Sequence, residues 1–176
     1  RQMVAAVAWV WQHIAEFGGD RDRITVVGHS AGGQLVGMLL ATDWLAVGQQ
    51  LGVALPAQPL RHGVSISGLF DMDPIRQTPF LADLGLSPEE AISQSPARLP
   101  APQRPDQRGR LTTVVGGDES GEFKRQNQLI QQAWGRDAVP VCEELPGLNH
   151  FSVVEDLVRP GSRLNTLVAS SLNRLQ

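Results

Sequence analysis

Ser30 lies in the run TVVGHSAGGQL, Thr25 to Leu35, at the centre of a G-x-S-x-G pattern formed with Gly28 and Gly32. This pattern suits a serine on a sharp strand-to-helix turn, its hydroxyl raised above the end of the strand. The two glycines leave room for strand and helix to approach closely. The following helix aims its free N–H groups and the positive end of its dipole at charge developing near Ser30. Ala31 N–H is then a candidate oxyanion donor, and its small side chain leaves the approach open. A glycine-rich turn with a serine that merely caps a helix can carry the same letters. Here the pattern follows a β-branched run, RITVV, and opens a helical one, which is the context nucleophilic attack on a carbonyl requires.

A serine is a weak nucleophile alone, so a base must reach it and a third group must orient that base. On this kind of turn the chain order is serine, acid, histidine. His150 is the one histidine downstream of the third expected strand, in the loop after the fourth. His29 adjoins Ser30, but a neighbour on a tight turn points elsewhere, so His29 is expected to pack or to support. For the acid, VVGGDES offers Asp118 and Glu119 just past the third strand. Asp is the commoner residue in the role, which favours Asp118.

The elements that must position these groups are legible in outline. Met3 to Phe17 places Val4, Val7, Ala8, Trp11, Ile14 and Ala15 at helical spacing, and Gly18 and Gly19 close that helix. Strands are expected in RITVVGHS, around Val64 to Ile66 in HGVSISGLF, in RLTTVVGG and in VPVCEEL. Between them, helices are expected from Ser30 onward through AGGQLVGMLLAT, at DMDPI with Asp73 as cap and Pro74 in the first turn, and after Ser87 in SPEE, a capping box with Glu90. EFKRQNQLIQQAWG is a further helix closing on Gly135, and stretches at about Ser152–Val158 and Ser162–Leu172 complete the set. Strands alternating with helices predict an α/β fold, a parallel sheet with helices on both faces. The polar, proline-rich Arg76–Arg110 stretch is expected to be an insertion over the sheet edge.

Composition narrows the partners. The chain of 176 residues is 41% hydrophobic with a formal net charge of −3, so it is suited to one folded domain. With no basic run it offers little pull toward nucleic acid or an anionic membrane, and no apolar run approaches the ~20 residues of a membrane span. Cys142 is the only cysteine, which fits a reducing compartment and a cytoplasmic location. His13, His29, His62 and His150 show no metal-ligand spacing, and neither a metal nor a cofactor is expected.

The pattern resembles the α/β-hydrolases of the esterase/lipase type. FGGDRDRITVVGHSAGG resembles the run into the nucleophile of many bacterial esterases. MLLATDW, SISGLFDMDPI, GGDESGEFKRQ and PGLNHFSVVEDL are similar to the kynurenine formamidase (arylformamidase) group. Hydrolases of this fold commonly read G-x-x-D after the third of these strands. Counting from Gly116 puts Glu119 there, and the formamidase segment likewise lays Glu119 over the family's acid. The resemblance thus implies a Ser30–His150–Glu119 triad, with Phe151 completing the family's HF pair.

The implied reaction is hydrolysis of N-formylkynurenine or a related aryl formamide, with Asp71, Phe70 and the 76–110 insertion as candidates to line a leaving-group pocket. A general carboxylesterase for small acyl esters and a non-catalytic hydrolase-fold chain are the alternatives. Such enzymes carry an H-G-G segment upstream that supplies further oxyanion donors, and this sequence has none. On the resemblance the chain is expected to be the C-terminal part of a single hydrolase domain, without its N-terminal strands. A homo-oligomer, or a partner chain supplying those strands, is the corresponding partner expectation. Loss of one oxyanion donor typically costs about 2.7–4 kcal/mol of transition-state stabilisation.

Overall fold

A computed structural model describes residues 1–78, 85–103 and 107–172. Four strands, β1 (Thr25–His29), β2 (His62–Ile66), β3 (Arg110–Gly116) and β4 (Val141–Leu145), form one sheet in the order β1-β2-β3-β4. Every neighbouring pair is parallel, with Thr25 beside His62, His62 beside Arg110 and Thr112 beside Val141. All four strands therefore begin at one end of the sheet and finish at the other. The expected α/β architecture, a parallel sheet flanked by helices, is the one observed.

The period of two along the strands divides the core. Val64 and Ile66 of β2, Val114 of β3 and Leu145 of β4 face one side and pack with Val153 and Leu164. Those two come from α7 (Ser152–Glu155) and α8 (Arg163–Leu172). On the other side Gly63 of β2 abuts Val36 and Leu40 of α2 (Ala31–Leu40). Leu111 of β3 joins the larger cluster there with Leu39, Trp44, Leu60, Phe70, Ile130 and Trp134. Burial of a large apolar side chain stabilises by roughly 1.5–3 kcal/mol, so this cluster is what seats α2 behind Ser30.

The first helix, α1 (Gln2–His13), runs into a 3₁₀ turn at Ile14–Phe17 and closes at Gly18, whose φ of 78° is left-handed. One helix escapes the pattern in the sequence. α3 (Trp44–Leu51) is capped by Asp43, whose carboxylate accepts from Ala46 N at 3.0 Å, and ends at left-handed Gly52. Its anchor Trp44 is fully buried and donates from Nε1 to Leu39 O.

The short α4 (Asp73–Arg76) places Asp73 within its first turn, with Met72 at the cap position, so Asp73 is not the cap expected. Its carboxylate instead pairs with Arg76, whose Nε donates to Asp73 Oδ1 at 2.7 Å. α5 (Pro88–Ser93) carries the capping box in full, Ser87 Oγ accepting from Glu90 N and Glu90 accepting from Ser87 N. Within the Arg76–Arg110 stretch, 79–84 and 104–106 lie outside the described residues. Pro96 and Leu99 are tied to α6 (Gly121–Trp134), their carbonyls both accepting from Trp134 Nε1.

Candidate active site

Ser30 sits between β1 and α2 with φ 56° and ψ −117°, a conformation side-chain-bearing residues rarely adopt. The surroundings enforce it. Ser30 N donates to Ile66 O at 2.9 Å, extending the β1–β2 ladder one residue past the strand, while Gln34 N donates back to Ser30 O. A Cβ on Gly28 would collide with the Gly32 carbonyl, so the first glycine of the pattern is required where the helix folds back over the strand. Gly32 is different from expectation: a Cβ there meets nothing within 4 Å among the described residues. The close approach falls one residue later, at Gly33, which packs on Ser65 and Gly68.

The structure brings Ser30, His150 and Glu119 into one line. His150 Nε2 is 3.1 Å from Ser30 Oγ, and His150 Nδ1 is 2.6 Å from Glu119 Oε2. An ionised carboxylate only accepts, so the ring proton lies on Nδ1 and Nε2 is free to accept from the Ser30 hydroxyl. Glu119 has a side chain only 1% exposed, a costly place for an unsupported charge. Its second oxygen, Oε1, accepts from Ser67 Oγ at 2.5 Å and from Gly116 N at 2.7 Å. Those two donors and the imidazole satisfy the buried carboxylate. Asp118 is exposed, and the helix that follows is capped by Ser120, which accepts from Phe123 N. Of the two adjacent acids, Glu119 is the one that reaches His150.

The loop bearing His150 is fixed on both sides. Leu148 O accepts from Asp118 N, and Asn149 Oδ1 accepts from Phe151 N and Ser152 N. The ring itself lies between two others, with His29 and Phe123 centroids each 4.5 Å away. His29 Nε2 donates to His150 O at 2.8 Å, so His29 supports the loop as expected of a neighbour on the turn. Burial, then the proximity of His150, holds the His29 ring below its ordinary pKa, so it stays neutral. Phe151 is 78% exposed and meets His150 edge-on at 5.6 Å.

Ala31 opens α2, and as the first helical residue its N–H lacks an acceptor within the helix. It is oriented with the N-terminal end of α2 toward the Ser30 side, the position in which a donor can meet developing negative charge. The pocket candidates divide. Phe70 is fully buried in the core and is unavailable to a ligand. Asp71 is held in a fork by Arg98, Nε at 3.0 Å and Nη2 at 3.2 Å. Burial raises the Asp71 pKa, but the Arg98 hydrogen bonds, the Asp73 N–H and the charges of Arg98 and Arg125 together outweigh it and leave the carboxyl below its ordinary range.

Two contributors were not foreseen. Ser67, with φ 50° and complete burial, closes the β2 end as Ser30 closes β1, and it grips Glu119. Phe123 covers the imidazole from α6. The only trace of Ser67 in the sequence is a small residue before Gly68 at a strand end. A positive φ has no letter of its own.

A parallel sheet with helices on both faces and a strained serine between strand and helix define an α/β-hydrolase fold. The solved structures it matches carry it too: a carboxylesterase of Lactobacillus plantarum (TM-score 0.69, 16% identity, 99% of this chain and 68% of that one) and esterase B of Lactobacillus rhamnosis (TM-score 0.67, 16% identity, 96% and 59%). Residues 2–51, from α1 through the turn to α3, match the Carboxylesterase family. Over nearly its whole length the chain is similar to kynurenine formamidases, 27% identical to those of Danio rerio and Salmo salar across 99% of its residues. It spans about half the length of these relatives, 55% of each. Among the described residues, no helix is long and apolar enough to cross a membrane.

Proposed function

We propose that this chain belongs to a serine hydrolase that removes a small acyl group, with the formyl amide of N-formylkynurenine or a related aryl formamide as its substrate class. The observation that carries the reading is the unbroken hydrogen-bonded line from Ser30 Oγ through the His150 ring to Glu119. Ser30 attacks the formyl carbon as His150 Nε2 takes its proton. Glu119 holds Nδ1–H and steadies the imidazolium that forms. The oxyanion is met by Ala31 N–H at the start of α2. Collapse of the tetrahedral species returns the proton from His150 to the leaving aniline nitrogen. Water, activated by the same ring, then releases formate from Ser30.

The likeness to kynurenine formamidases along nearly the whole chain supports a formamide over other acyl groups. A second reading, a carboxylesterase for small acyl esters, is favoured by the match of residues 2–51 to the Carboxylesterase family. Rates for N-formylkynurenine and for p-nitrophenyl acetate separate the two. The formamidase reading expects the formamide to be turned over with the higher kcat/KM. A preference for the ester by orders of magnitude would overturn it in favour of the esterase.

A further inference from the structure

At the end of the sheet opposite Ser30, a cavity of about 190 Å³ is lined by Arg61, His62, Arg110 and Thr112, with Val141 and Leu167 as apolar wall. His62 and Arg110 are the first residues of β2 and β3 and face each other in register. In a parallel pair such partners project to the same face, about 4.8 Å apart in the sheet. Thr112, two residues on, shares that face, and its hydroxyl lies 2.9 Å from His62 Nε2.

Three basic side chains thus converge on one small space. Arg61 and Arg110 bring two permanent positive charges to its wall. Among the described residues no carboxylate pairs with Arg61 or Arg110. Arg110 Nε is buried without a hydrogen-bond partner, although Nη2 of the same group donates to Gln107 Oε1 at 2.8 Å. An orphaned buried donor on a cation is expensive in a native structure and calls for an acceptor. The cavity is smaller than the ~300–1,000 Å³ of sites for drug-sized molecules. Planar guanidinium forks match tetrahedral oxyanions.

We propose that Arg61, Arg110 and His62 form a binding site for a phosphate or sulfate group, distinct from the Ser30 site and lying at the opposite end of the same strands. The anion accepts from the guanidinium groups of Arg110 and Arg61 that line the cavity, and it offsets the two positive charges gathered there. His62, held neutral by burial and by the two arginines, gains a neighbouring counter-charge when the anion enters.

Calorimetric titration with sodium sulfate, ionic strength held constant with sodium chloride, tests the site on the full chain. Saturable one-to-one binding is expected, weakened at least tenfold in Arg110→Gln and in Arg61→Gln. The His62 ring resonances should move during the titration. A response no different from chloride, or unchanged affinity in both variants, would overturn the proposal. Melting curves check that the variants fold. If Arg110→Gln does not, Arg61→Gln carries the same test, since its side chain makes no hydrogen bond among the described residues. Inorganic phosphate and glycerol phosphate, titrated in parallel, distinguish the sources. Tighter binding of the ester assigns the site to a phosphate carried on a metabolite, and equal or weaker binding assigns it to the free anion.

Discussion

Ser67 donates to Glu119 at 2.5 Å in a setting sealed from solvent, so the carboxylate that orients His150 is itself oriented from the end of the neighbouring strand. The contact couples two strained serines. Ser30 closes β1 by donating to Ile66 O, and Ser67 closes β2 by donating to Val114 O at 2.7 Å. Each strand end thus fixes one end of the Ser30–His150–Glu119 line.

Removing that donor should show in rate before it shows in fold. Hydrogen bonds to charged groups contribute about 1.5–3 kcal/mol. Ser67→Ala is therefore expected to slow acylation of Ser30 by roughly tenfold or more while the melting temperature falls only a few degrees. Stopped-flow acylation with an activated ester provides the measurement, and an unchanged rate would remove Ser67 from the account.

The two adjacent acids should separate sharply. Neutralising the group that orients a catalytic histidine costs about 10⁴-fold in kcat elsewhere. Glu119→Gln is expected to lose activity by three to four orders of magnitude, and Asp118→Asn, on an exposed side chain, to stay within about twofold. Steady-state kinetics of the pair decide it.

The glycines of the turn make a structural prediction. Gly33→Ala drives a methyl into Ser65 and Gly68, and overpacking of this kind costs about 1–3 kcal/mol. Gly32→Ala enters open space inside a helix and should be neutral or stabilising by up to about 1 kcal/mol. Denaturant unfolding of both variants measures the contrast. The sequence pattern points to Gly32, because motif spacing records which residues recur and not which Cβ collides.

His62 should govern the acid limb of stability. Burial, then Arg110 and Arg61, push its pKa down from 6.5 to about 4 in the folded chain. Between those values the unfolded chain binds the proton more readily, so stability is present in full above pH 6.5 and is lost as pH falls toward 4. The drop is worth up to about 3 kcal/mol. His62→Gln should flatten this limb in melting curves recorded from pH 7 to 4.5, and an unaltered profile would contradict it.

Much of this was legible in the letters. The strands, the turn around Ser30 and the capping box at Ser87 and Glu90 follow from local patterns and chain order, whereas the offset from Gly116 to Glu119 comes only with the family resemblance. What escaped is tertiary. α3 is short, has Gly48 inside it and leaves Leu45 and Leu51 exposed, so its apolar residues do not trace one buried face and only Asp43 and Gly52 mark it, whereas burial of Trp44 secures it. Phe70 reads as a candidate for a pocket wall at a strand end, but the clustering of Leu39, Ile130 and Trp134 around it makes it core. Asp73 reads as a cap, yet the helix begins one residue earlier and Arg76 takes its charge.

The nucleophilic role of Ser30 is tested most directly by intact-mass analysis of the folded chain after treatment with a fluorophosphonate. The arrangement of Ser30, His150 and Glu119 calls for a single adduct on Ser30, absent in Ser30→Ala and formed much more slowly in His150→Ala. An unlabelled folded protein, or an adduct that persists in Ser30→Ala, would contradict it.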